Sequence, residues 1–214
     1  QDKKNSKALF FYMNSNMDEL LKKTGISMVL PSYKIQEKLG NKLHLSQICE
    51  KLNIVSNKSL TFKKVPEEIH KTFLQCQNIL GLPFVVQGAL GASGGDTFLV
   101  KAEKEFNKAV MKIDAEFKAT KFLKNNIPLS VHICVLDDQI IIHGPFLQLM
   151  GLPELSSNPF QFGGNDTNQS LLTQDFFKQV RDMTLKIAKY VKAEEFRGIF
   201  GIDYLWDQDT NIVY

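Results

Sequence analysis

Apolar residues recur along this chain in two rhythms. Spacings of three and four link Met17, Leu20 and Leu21, then Leu45, Ile48, Cys49 and Leu52, then Ile69, Phe73, Cys76 and Leu80. The same spacing joins Phe106, Ala109, Val110 and Ile113, and again Phe176, Val180, Met183, Ile187 and Val191. Each set predicts a helix with one buried stripe. Asn16 and Thr173 suit N-caps, Pro66 suits a first helical turn, and Gly25 and Gly81 suit helix ends. The helices are expected near 41–53, 66–81 and 102–114, with the longest one after Thr173.

The second rhythm is that of strands. Short apolar runs stand at 8–13, 26–30, 84–86 and 98–100. Leu129, Val131, Ile133 and Val135 alternate with Ser130, His132 and Cys134, the pattern of a half-buried strand. Asp137, Asp138 and Gln139 turn the chain into a second strand, 140–143, and a last hairpin is expected from 201–206 and the end of the chain, across a turn at 207–211. The polar stretch 158–168 reads as a loop. A β-α-β start followed by antiparallel strands and helices predicts an α+β protein with an α/β beginning.

Composition narrows the field. The 214 residues are 43% apolar, enough for a sizeable core, and the net charge is only +3. Nearly all the cations are lysines, with Arg181 and Arg197 the two arginines, and no Arg/aromatic interleaving argues for a nucleic-acid partner. Cys49, Cys76 and Cys134 form neither a C-x-x-C pair nor an even set, so a disulfide framework or zinc site is not expected. No apolar run is long enough to span a membrane, and the expected home is a reducing cytoplasm. The chain stops at Tyr214 inside a strand pattern, so the parent protein is expected to continue.

Candidate chemistry begins at 82–100. A strand, Phe84 to Val86, breaks into a loop holding Gly88, Gly91, Gly94 and Gly95 with the hydroxyls of Ser93 and Thr97, and returns at once to a strand. Glycines let the backbone approach an oxyanion and aim N–H groups at it. A flap over a polyphosphate and a long hairpin loop needing positive φ both fit. Ser93 has no histidine or acid at triad spacing, no helix follows it directly as in a nucleophile elbow, and the Gly-Lys-Ser/Thr of a P-loop is absent. Taken singly, Lys42 reads as a solvated helix-start lysine and Asp203 as an outward residue of an edge strand. His132 and His143 do not read as ligands.

Four features in order change that reading: Leu39-Gly-Asn-Lys42 after a β-α-β unit, the glycine loop, Lys121-Phe-Leu123 with the hairpin ending at Gln148, and Gly201-Ile-Asp203. Together they resemble the ATP-grasp superfamily, closest to its biotin carboxylase and carbamoyl phosphate synthetase-like members, over roughly residues 35 to 214. The resemblance implies two α+β subdomains whose antiparallel sheets sandwich a nucleotide, preceded by a partial parallel-sheet unit. The corresponding segments are 1–40, 41–120 and 121–214.

The same resemblance assigns roles. Lys42 and the loop residues Ser93, Gly94, Gly95 and Thr97 would meet phosphate; the backbone at Lys121 and Leu123 would hold adenine; Gln148 would lie near ribose and phosphates; Asp203 would be a Mg²⁺ ligand. Pro83 to Gln87 matches the strand before the loop, but Gln87 replaces the family's lysine, and Ala119-Thr120 stand where an acid often precedes the hinge. The second acidic ligand would lie beyond Tyr214. The implied activity is an ADP-forming carboxylate–amine ligase using ATP, Mg²⁺ and an acyl phosphate. The alternative is a nucleotide-binding module without ligase activity. No residue reads as a general base.

Overall fold

The computed structural model describes residues 7–8, 14–28, 31–90, 96–170 and 172–214. They divide into two compact units. The first takes residues 1–40, 130–145 and 170–203; the second takes 41–129, 146–169 and 204–214.

The second unit is organised on a four-stranded antiparallel sheet, order β3-β6-β4-β5, made of β3 (Ser59–Lys63), β4 (Phe84–Gly88), β5 (Thr97–Val100) and β6 (Glu116–Lys121). Strand alternation sends Phe84, Val86, Val100, Phe117 and Ala119 to one side, where α4 (Ile69–Leu80) and α5 (Glu103–Lys112) supply Phe73, Cys76, Leu80, Phe106, Ala109 and Val110. Phe106 meets Phe73, Phe84 and Phe117 with ring centroids 5.7, 5.9 and 5.8 Å away. These tilted and edge-on contacts are the favoured aromatic geometry. Burial pushes the Cys76 thiol up to about 12, so it is packing material rather than a nucleophile. Glu105 closes the start of α5 by accepting from the Lys101 and Ala102 N–H groups at 2.6 and 3.2 Å.

The first unit begins with β1 (Lys7–Ala8) and β2 (Ser27–Met28), parallel to each other and joined through α1 (Ser15–Thr24); α2 (Tyr33–Gly40) follows. Its longest helix, α6 (Gln174–Ala193), buries Phe176, Val180, Thr184, Ile187, Ala188 and Val191, a stripe at helical spacing. Thr173 caps it, accepting from the Phe176 N–H at 3.3 Å. The expected β-α-β opening and longest helix are therefore present; residues 9–13, 29 and 30 of the two anticipated strands lie outside the described residues.

A five-stranded sheet runs in the order β11-β10-β7-β8-β9, from β7 (Asn126–Val135), β8 (Ile140–Met150), β9 (Phe162–Asp166), β10 (Gly198–Asp207) and β11 (Ile212–Val213). The chain is thus α+β, as its pattern predicts.

Four details differ from expectation. The cap of α1 is Asn14, whose Oδ1 accepts from the Met17 N–H at 2.9 Å, not Asn16, which lies inside the helix. Pro66 opens a 3₁₀ turn, Pro66–Glu68, and the α-helix proper begins at Ile69. Helix α2 was not expected; it is only eight residues long and buries none of them. Strand β9 occupies part of the expected loop, pairing Leu147 with Asp166 and Gln148 with Asn165. It hides from a hydropathy reading because it runs where side chains do not fit. A Cβ on Gly163 would come within 3.1 Å of Leu155 and 3.3 Å of the Leu149 carbonyl.

Candidate functional site

The site is built from the other side of the four-stranded sheet. Residues directly opposite one another on neighbouring strands share a face. The pairings Thr61 with Lys118, Lys118 with Gln87, and Gln87 with Thr97 therefore lay Thr61, Lys118, Gln87 and Thr97 in one row across β3, β6, β4 and β5, on the face away from the phenylalanines. The Gln87 Nε2 donates to Thr97 Oγ1 at 3.2 Å. The next row holds Ser59, Thr120, Val85 and Leu99. Thr120 Oγ1 is buried and has no hydrogen-bond partner among the described residues.

Helix α3 (Lys42–Lys51) adds to this polar face. Asn41 caps it, accepting from the Leu43 N–H at 2.9 Å. The Lys42 N–H donates to the Ala89 carbonyl at 2.9 Å, which ties the helix start to the residue after β4. Ser46 and Ser59 hydroxyls lie 3.2 Å apart. Lys118 is half-buried, and burial holds its ammonium below the ordinary lysine value; the Cys49 side chain opposes that shift and the Lys42 charge adds to it. Burial in turn pushes the Cys49 thiol up, with Lys118 working against it.

Of the glycine loop, Thr97 and the stem are described, whereas Ser93, Gly94 and Gly95 lie outside the described residues. The stem closes with the Gly88 N–H donating to the Asp96 carbonyl at 3.3 Å. The hinge residues follow β6 directly. The Lys121 N–H donates to the Lys58 carbonyl at 2.9 Å, and the Lys121 carbonyl accepts from Asn57 Nδ2 at 2.8 Å. The Leu123 carbonyl accepts from Asn126 Nδ2 at 2.6 Å, and its side chain is buried. Asn125 anchors the end of this segment: its carbonyl takes the Gln208 N–H at 2.8 Å and its amide donates to Asp209 at 3.0 Å. The Asn57 and Asn126 side chains hold backbone carbonyls here, and Asn125 ties the segment to Gln208 and Asp209, a fixed edge rather than a loose linker.

Gln148 is half-buried on β8 opposite Asn165. Asp203 is exposed on β10 and belongs to the first unit. Its neighbour Asp207 is buried and committed to the turn, accepting from the Asp209 N–H and the Thr210 hydroxyl at 3.1 and 2.8 Å. Magnesium retains waters and takes one or two protein carboxylates. Asp203 offers one, and among the described residues no group of three or more His, Cys, Asp or Glu gathers as a metal site. The structure thus collects Lys42, Gln87 and Thr97 around the glycine-loop stem and adds Lys118, which the sequence reading passed over among many lysines. The signal that finds it is strand register, not composition.

No family model matches the chain. The chain is 27% identical over 144 residues to a D-alanine–D-alanine ligase of Clostridium beijerinckii, covering 62% of this chain and 46% of that protein. It is 23% identical over 144 residues to an uncharacterised protein of Mycoplasma genitalium, covering 65% and 44%. It therefore spans less than half the length of these relatives. Among solved structures, D-alanyl-alanine synthetase A from Vibrio cholerae superposes with a TM-score of 0.78 at 16% identity, over 98% of this chain and 64% of that one. The biotin carboxylase domain of Hydrogenobacter thermophilus 2-oxoglutarate carboxylase, in complex with MgADP and bicarbonate, gives 0.76 at 16% identity over 98% and 46%. An Aspergillus clavatus carboxyaminoimidazole ribonucleotide synthase complexed with ATP gives 0.74 at 15% identity over 99% and 52%. The chain has the ATP-grasp fold.

Proposed function

We propose that the polar face of the four-stranded sheet receives the phosphates of ATP and that the full-length protein is an ADP-forming ligase joining a carboxylate to an amine or related nucleophile. One observation carries this reading. The Lys42 N–H is bonded to the Ala89 carbonyl at the base of the glycine loop, beside the Gln87–Thr97 hydrogen bond. A cation-bearing helix start, a glycine loop and a polar pair thereby converge, the donor set a polyphosphate needs.

In this reading Lys42 and the loop Ser93, Gly94, Gly95 and Thr97 bind phosphate, with Gln87 as a neutral donor. The fixed backbone at Lys121 and Leu123 forms the adenine edge, and Gln148 lies toward the ribose and phosphates. Asp203 is one carboxylate for Mg²⁺, which when bound neutralises phosphate charge. The segments 1–40, 41–120 and 121–214 are the functional divisions. The chain's own contribution is positioning and charge complementarity, the main levers of phosphoryl transfer. The reaction takes place in the cytoplasm on a small-molecule acid and amine.

Two departures favour a second reading, a nucleotide-binding module without turnover: Gln87 in place of the lysine, and Ala119-Thr120 in place of the acid before the hinge. The experiment measures both steps on the full-length protein. MgATP at 100 times its Kd adds about 2.7 kcal/mol to folding stability, and a panel of carboxylates with amines then elicits ADP release. A stability shift without ADP release selects the binding module; no shift at all removes both readings.

A further inference from the structure

We infer that Lys118 carries the phosphate-facing positive charge of this site, standing one strand over from the position that Gln87 has left neutral. The inference rests on the nucleotide reading above and deepens it.

The geometry comes from the sheet itself. Gln87 and Lys118 are directly paired on antiparallel β4 and β6, so their side chains leave the same face from adjacent strands. Opposed residues in such a pair have Cβ atoms about 5 Å apart, and a lysine stem spans that distance easily. Moving a cation from β4 to β6 at constant register therefore keeps it at the same level of the sheet. On the other flank of Gln87 stands Thr97, the last element of the glycine loop, held by the Gln87 amide at 3.2 Å. The row reads hydroxyl, amide, ammonium.

The surroundings of Lys118 are unusual for a lysine that serves only solubility. It is half-buried, and among the described residues no carboxylate makes an ion pair with it. The charged or titratable groups that act on it are Lys42 and Cys49, both on α3. One is a second cation and the other a thiol that burial keeps protonated at neutral pH. Directly across β3 lies the uncharged Thr61, and across β4 the uncharged Gln87. Two residues along β6 on the same face, Thr120 presents a buried hydroxyl with no hydrogen-bond partner among the described residues. A half-buried ammonium near a second one and facing no anion is a poor arrangement in isolation and a good one around a polyanion. The feature that lowers its proton affinity when empty is the feature a polyphosphate reverses.

The test uses the full-length protein and titrates MgATP, AMP and adenosine in parallel. Lys118→Gln is expected to weaken MgATP roughly 10- to 100-fold, the loss of one charge-assisted contact, and to leave adenosine binding within about two-fold. Moving the lysine back in the double variant Lys118→Gln with Gln87→Lys is expected to restore most of the MgATP affinity, which a merely structural role for Lys118 does not predict. Lys104→Gln, an exposed change on α5, is the control and leaves every affinity unchanged. Should Lys118→Gln fail to fold, the wild-type protein decides. MgATP, but not adenosine, is expected to protect Lys118 from acylation by an amine-directed reagent, read by mass spectrometry. Wild-type MgATP binding that ignores Lys118→Gln, or acylation unaffected by MgATP, overturns this inference and leaves the nucleotide reading standing. Absence of any MgATP binding by the wild type overturns the nucleotide reading, and this inference with it.

Discussion

The two faces of the four-stranded sheet follow opposite rules although the same strands make both. On one face Phe84, Phe106 and Phe117 are no more than 2% exposed and interlock with Phe73. On the other, Thr61, Lys118, Gln87 and Thr97 lie in a row in which the Gln87 amide donates to the Thr97 hydroxyl. The first face is complete in itself: every ring has neighbours, and the gain from burial is present without any ligand. The second is incomplete: among the described residues it holds a half-buried Lys118 ammonium with no carboxylate paired to it and a buried Thr120 hydroxyl with no hydrogen-bond partner. Stability is concentrated on one side of the sheet and unmet polar capacity on the other, the division expected where strands both support a fold and present a site.

Substitutions on the two faces should therefore separate stability from binding. The largest effect belongs to the aromatic face. Phe106→Ala removes a ring in contact with three others and should destabilise by about 3–5 kcal/mol in denaturant unfolding. Next comes Lys42→Ala on the polar side, which should leave unfolding nearly unchanged and weaken MgATP by about 1.5–3 kcal/mol in a binding titration. A comparable loss of stability from Lys42→Ala would erase the contrast between the faces.

Lys118→Met should move the two properties in opposite directions, raising the melting temperature while weakening MgATP. The reason is proton linkage. Burial lowers the folded-state pKa of Lys118 below 10.5. Between that lowered value and 10.5 the unfolded chain holds a proton that the folded chain has released. Wild-type stability accordingly rises with pH across that window, and below it the protein carries the full penalty of the desolvated ammonium. The melting-temperature gain of Lys118→Met should be greatest near neutral pH and shrink as pH climbs through the window. The smallest expected effect is that of Thr120→Val, which removes an unpartnered buried hydroxyl without changing shape. It should be neutral or stabilising by up to about 1 kcal/mol by thermal unfolding.

The aromatic face was legible from the sequence and the polar one only in part. Phe73, Cys76 and Leu80, or Phe106, Ala109 and Val110, announce themselves because burial writes a local period into the chain. Thr173 and the strand at 129–135 are equally local and were correctly anticipated, except that Ser130, expected on the polar side, is buried. The glycine loop and Lys42 stood out once their order along the chain was considered. Lys118 did not, because what distinguishes it from the other lysines is its opposite number on β4, and strand register is a non-local property. Asn57, which bonds the Lys121 carbonyl, and Asn125, which bonds the Asp209 carboxylate, were missed for the same reason: an asparagine with a partner far along the chain looks like one in a turn. Helix α2 and strand β9 escaped because neither is marked by a run of buried apolar side chains.

The most direct measurement is a calorimetric titration of the full-length protein with MgATP, repeated with Lys42→Ala and Phe106→Leu. If the polar face receives the nucleotide, the wild type saturates at one ATP per chain, Lys42→Ala loses roughly ten-fold or more in affinity, and Phe106→Leu binds as the wild type does. Saturation that is indifferent to Lys42, or no heat of binding at any concentration, would contradict it.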